Sequence, residues 1–180
     1  MSDLFVSDKQ LKNDNFCFIT VQVFFNPEPS YKGPDRITYF RATALEHALL
    51  RDTRVNWLVM FSAPWCPPCS DFSPIFAELS QTYGDLPNLQ FGKVDVSRYA
   101  DVAKKHDINT STFTRQLPTL ILFENGVEKD RQPLNDSKGR VAPFAFSKGN
   151  VVEVFELDKL YSECKENLNV NKSTANKKKD

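Results

Sequence analysis

Nearly unbroken apolar runs occur at residues 16–25 (FCFITVQVFF), 55–61 (VNWLVMF) and 119–123 (TLILF). The second and third have the length and β-branched content of central strands buried on both faces. The first contains Thr20 and Gln22 and is ten residues long. It is too short to cross a bilayer, which takes roughly 20 mostly apolar residues, and it reads as a strand or packed segment before a membrane contact. Pro27, Pro29, Gly33 and Pro34 then make a connector. Residues 37–40 predict a short strand. Thr43 and Glu46 have capping-box spacing before a helix running to about Asp52. Phe72, Ile75, Phe76, Leu79 and Tyr83 recur at helical spacing and predict a helix from about Cys69 to Tyr83, kinked at Pro74. Residues 89–96 (LQFGKVDV) read as a strand and 98–106 as a short helix. Asn125-Gly126, directly after the third run, is a hairpin turn signal. Residues 141–146 suit a further edge strand. A final helix is expected over 157–168, with Leu157, Leu160, Tyr161, Cys164 and Leu168 on one side.

These elements alternate as strand, helix, strand, and predict an α/β fold: a mixed central sheet flanked by α-helices. The domain is expected at 37–168, with its core at 55–168. Residues 1–36 form an N-terminal segment and connector, and 169–180 a disordered Lys-rich tail. At 180 residues the chain has room for one ordinary domain with flanking segments. Lys plus Arg and Asp plus Glu both total 23, so no global field draws nucleic acid. The opening Met1-Ser2-Asp3 lacks the basic start of a cleavable secretory signal.

Four cysteines are too few for a disulfide scaffold, and only Cys66 and Cys69 stand close together. They lie where a buried strand gives way to a helix, in Trp65-Cys66-Pro67-Pro68-Cys69. That context reads a Cys-x-x-Cys spacing as a redox dithiol. The helix N-terminus stabilises the thiolate of the first cysteine, which makes Cys66 the nucleophile and Cys69 the resolving thiol. Pro67 and Pro68 are compatible with a first helical turn, but neither supplies an N–H to the Cys66 sulfur, one donor fewer than in a Cys-Gly-Pro-Cys site. Asp71 places a negative charge nearby. Trp65 would shield the sulfur and offer an apolar surface to an extended peptide, or else simply fill the core.

With VMFSAPWCPPC, KVDV, LPTLILF and ENG in this order, residues 55–168 resemble the thioredoxin family. The resemblance implies a thioredoxin-like fold and a thiol-disulfide oxidoreductase acting on protein disulfides in cell redox homeostasis. Its redox-active group would be the Cys66–Cys69 disulfide, with no other cofactor. Protein thiols and disulfides, together with a reductant or oxidant, would be the partners, and membrane association follows from the resemblance alone. Pro118 takes the place of the family's cis-proline, which pairs with substrate backbone. Met60 stands where the family has a buried acid, and Lys93 where a lysine faces that acid. Without its partner, a buried Lys93 would be disfavoured as a cation. Met60 therefore points to slow turnover. Residues 109–116 read as an insert.

Rival chemistries weigh less. A zinc site needs a second close ligand pair, and Cys17, Cys164, His47 and His106 are scattered. A cysteine hydrolase needs a histidine at Cys66, whereas both histidines read as surface residues. Cys17 and Cys164 sit on apolar segments as small hydrophobes. The serious alternative is a weakly active or redox-inert thioredoxin-fold module that docks a partner along Pro118. Lys177 and Lys178 resemble a dilysine signal read on the cytosolic face of the endoplasmic reticulum membrane; the alternative is a soluble cytoplasmic chain. Glycosylation triplets at Asn109, Asn135 and Asn171 would matter only in the lumen.

Overall fold

A computed structural model describes residues 33–136 and 140–176. The chain divides into Met1–Ser30 and Tyr31–Asp180, and the description concerns the second unit. The apolar run at 16–25, Cys17 and the lysines at 177–179 lie outside the described residues.

The elements follow in the order β1 (Ile37–Phe40), α1 (Ala44–Arg51), β2 (Asn56–Ser62), α2 (Pro67–Tyr83), β3 (Leu89–Asp95), α3 (Ala100–Lys105), β4 (Thr119–Glu124), β5 (Val127–Gln132), α4 (Lys148–Val154) and α5 (Leu157–Asn176). The strands form one sheet ordered β1-β3-β2-β4-β5. β1, β3 and β2 run parallel, and β4 and β5 are antiparallel to their neighbours. The sheet is therefore mixed and flanked by helices, as expected.

Alternation along the strands sorts the core into two faces. Leu58 and Met60 on β2 stand beside Phe91 and Lys93 on β3. This face meets α2, where the Phe76 and Phe91 rings lie 5.6 Å apart. α5 docks on the end of α2: Tyr83 donates its hydroxyl to Asp158 at 2.6 Å. The opposite face carries Phe61 and Phe123. Phe40 leans across it to Trp57, with ring centroids 5.1 Å apart. Gly92 permits this crossing, because a Cβ there would come within 2.5 Å of the Phe40 ring.

Several local expectations change. Thr43 precedes α1 but makes no side-chain cap, and Glu46 instead pairs with Lys105 at 2.7 Å. The turn Asn125-Gly126 does form a hairpin, both residues having positive φ (55° and 77°). Its second strand, β5, is the sheet edge. Residues 141–146 are no edge strand: Val141 makes one bridge to Asn135, and the segment beyond it has no ladder. α4 was not legible, and α5 continues past Leu168 to Asn176, into the stretch expected to lack order. α2 is continuous through Pro74 and begins at Pro67.

Candidate active site

β2 delivers the chain to the start of α2, and Cys66 is the residue that caps that helix. Pro67 and Pro68 occupy its first positions, where absent N–H groups cost nothing. The first amide free to turn toward the cap is that of Cys69, which donates to Cys66 Sγ at 3.3 Å. With prolines at both first positions, the backbone donor to the Cys66 sulfur is the amide of Cys69. Cys66 and Cys69 are joined as a disulfide with their Cα atoms 5.3 Å apart. The residues are 5% and 2% exposed. Pro67, Pro68 and Asp71 are exposed, and Trp65 is half-buried against the core.

Beside the dithiol lies a groove of about 630 Å³. Trp65, Cys66, Pro67, Pro68 and Pro118 all line it, so the structure brings these sequence-nominated residues together. The Leu117–Pro118 peptide is cis. Trp65 thus packs on the core and also lines the groove.

Met60 is fully buried, and Lys93 stands beside it in the parallel register. Lys93 is half-buried, and its ammonium donates to Ser73 Oγ at 3.0 Å. Ser73 in turn donates to the carbonyl of Cys69 at 2.8 Å. A hydroxyl one turn along α2 thereby links the lysine to the backbone of Cys69. The sequence signal was a serine four residues after Cys69, but serine is common enough in helices to pass unnoticed.

The opposite walls were also missed. Thr112, Thr114 and Arg115 come from the insert, and Pro133, Phe144 and Phe146 from beyond β5. Phe146 packs on Phe72 of α2 at 5.1 Å, which fixes its segment against the helix that carries the dithiol. The Gln132–Pro133 peptide is also cis. The insert is an ordered loop closed by Gln116, only 3% exposed. Its side chain accepts from the Asn109 N–H at 2.8 Å and donates to the Asp107 carbonyl at 3.1 Å. Phe113, at the loop's tip, is 95% exposed.

His47 is exposed as expected, whereas His106 is half-buried. Its ring packs between Phe61 (5.3 Å) and Phe123 (5.5 Å), and its Nε2 is buried without a hydrogen-bond partner. Burial holds the imidazole below the usual histidine range. It does not line the dithiol groove. Cys164 is buried, accepts from Asn56 Nδ2 at 3.4 Å, and has its thiol pushed up by burial. Among the described residues no three His, Cys, Asp or Glu side chains converge on a possible metal position.

A mixed sheet of this order, a cysteine-capped helix after its central strand and a cis-proline across the same groove define a thioredoxin-fold dithiol protein. The chain belongs to the thioredoxin family, whose model, Thioredoxin, matches residues 38–142. It is 50% identical over 152 residues to the thioredoxin-related transmembrane protein 2 homolog of Drosophila melanogaster, covering 84% of this chain and 56% of that one. It is 44% identical over 137 residues to thioredoxin-related transmembrane protein 2 of Xenopus tropicalis, covering 76% and 47%. The segments PSYKGPDRITYF, FGKVDVSRYADV and RQLPTLILF carry the same likeness. The chain spans about half the length of these curated relatives. Among solved structures, the crystal structure of Schistosoma mansoni thioredoxin matches with a TM-score of 0.51 and 26% identity, covering 69% of this chain and 94% of that one. No helix among the described residues is long and apolar enough to cross a membrane.

Proposed function

We propose that this chain is a protein thiol-disulfide oxidoreductase working through Cys66 and Cys69. The observation that carries the reading is the disulfide at the head of α2, opening on a groove shared with cis Pro118. In the reduced form, Cys66 thiolate attacks one sulfur of a substrate disulfide and expels the other as a thiolate. Cys69 then loses its proton and attacks Cys66 Sγ, which breaks the mixed disulfide and releases the second substrate thiolate. Two electrons pass from the dithiol to the substrate, and the released thiolates take up two protons. The same steps in reverse oxidise a substrate dithiol. A dithiol or disulfide partner restores the starting state.

Trp65 and Pro118 flank the path of an extended peptide, one offering an apolar surface and the other its backbone. Met60 supplies no base for the Cys69 proton, which leaves solvent, Lys93 or a substrate group to take it, and turnover is slow. Membership of a redox-balancing system at the cytosolic face of the endoplasmic reticulum membrane is part of the proposal. Its support is the relatives' names, which call them transmembrane proteins.

The test is the Cys66–Cys69 equilibrium against glutathione, read by thiol trapping and mass spectrometry, with Cys66→Ser as control. The pair is expected to titrate as one two-electron couple. A pair that never closes across the accessible range would overturn the reading. It would leave the binding module that Met60, a buried thioether at an acid's position, favours.

A further inference from the structure

Among the described residues, the exposed Arg115 is the one charged residue on the lining of the dithiol groove. The other walls are prolines, aromatic and aliphatic side chains, and two threonines. No ion pair or side-chain hydrogen bond occupies its guanidinium among the described residues. A cation left unpaired beside low-dielectric walls attracts an anion more strongly than one on open surface. Asp71, the acid nearest the dithiol in sequence, is not part of the lining.

The backbone holds Arg115 at the rim. On one side Thr114 N–H donates to the Ser111 carbonyl at 3.0 Å, closing a turn. On the other, Gln116 is buried, its side chain is bonded to Asn109 and Asp107 at the start of the loop, and Thr119 Oγ1 donates to the Gln116 carbonyl at 2.7 Å. Arg115 is thus fixed between a turn and the cis-proline at 118. It comes from the loop that reads as an insert, so its charge is a property of this loop and not of the dithiol frame.

We propose that Arg115 is a specificity-determining residue that selects cysteine-bearing peptide segments with an acidic residue beside the reacting cysteine. The proposal rests on the oxidoreductase reading and adds a substrate class to it. The acidic side chain meets the guanidinium while the cysteine's sulfur faces Cys66. The exchange itself is unchanged: the substrate disulfide breaks, the Cys66–Cys69 disulfide forms, and the two substrate thiolates take up the protons.

The probes are three short peptides with Glu, Gln or Lys beside one cysteine, each cysteine capped as a disulfide with 2-mercaptoethanol. The full 180-residue chain is reduced with dithiothreitol and desalted, and its rate with each peptide is divided by that of free dithiothreitol. This division removes the flanking charge's effect on the peptide thiol itself. At low salt the Glu peptide is expected to react about 3- to 10-fold faster than the Lys peptide, shrinking below about 2-fold at 0.5 M salt. Arg115→Glu should invert the order. The ratio is read within one preparation, so a partly unfolded variant leaves it interpretable. Equal normalised rates in the parent chain, or an order unmoved by Arg115→Glu, would overturn the proposal. A Gln peptide reduced no faster than by Cys66→Ser would overturn the oxidoreductase reading beneath it.

Discussion

Ser73 occupies a helical position where serine usually contributes little, yet it joins Lys93 to the carbonyl of Cys69. Ser73→Ala should cost about 0.5–1.5 kcal/mol of stability, the usual worth of such bonds. It should also lengthen the life of a mixed disulfide at Cys66, because it frees the carbonyl next to the resolving thiol. Acid-quenched trapping measures that lifetime; an unchanged one would confine Ser73 to packing. His106 has a different consequence. Its half-buried imidazole has its pKa lowered, first by burial, so its contribution is complete above an unfolded value near 6.5 and fades as pH falls through the lower folded value. Between pH 7.5 and 5.5 the melting temperature of His106→Gln should therefore drop less than that of the parent chain. The dithiol and Pro118 were legible because motif and resemblance fix them. His106 was not, because a histidine ending a short amphipathic helix looks solvated until the rings of Phe61 and Phe123 are seen around it.

Elements with strong periodicity were readable, and those defined by tertiary partners were not. β2 and β4 announced themselves as apolar runs, and α2 by its Phe72 to Tyr83 stripe. β5 hid because Glu128, Lys129, Asp130 and Arg131 carry no apolar pattern. An edge strand needs none, and its charges pair locally, Lys129 with Glu124 at 2.6 Å. Residues 141–146 misled in the opposite way. Their apolar side chains line a groove and pack on α2 instead of filling a ladder. The capping box at Thr43 failed because that residue has ψ near 4°, outside the extended region an N-cap adopts. The loop 109–116 behaves as an element in its own right, with Gln116 as its clasp. Gln116→Ala should strand the Asn109 N–H and the Asp107 carbonyl and cost about 1–3 kcal/mol by urea unfolding. A loss confined to a few tenths would mean that the loop holds without its clasp.

At the scale of the molecule, the sheet separates two kinds of sulfur. The dithiol lies just beyond the end of β2, while Asn56 at its start holds Cys164. Seven strand residues at roughly 3.3 Å each put about 20 Å between those ends. The mixed architecture was legible from the order of the apolar runs, whereas this polarity depends on α5 folding back along the sheet. Sequence patterns do not encode such a return; the ties from Tyr83 to Asp158 and from Asn88 to the Cys164 carbonyl do. Cys164 thus stays out of the exchange chemistry for reasons of geometry. It is in effect a clock sealed inside the fold. In one reduced sample, alkylation should mark Cys66 early, while the mark on Cys164 accumulates only as fast as the surrounding fold opens. A single mass-spectrometric time course would then report the working thiol's reactivity and the lifetime of the folded state side by side.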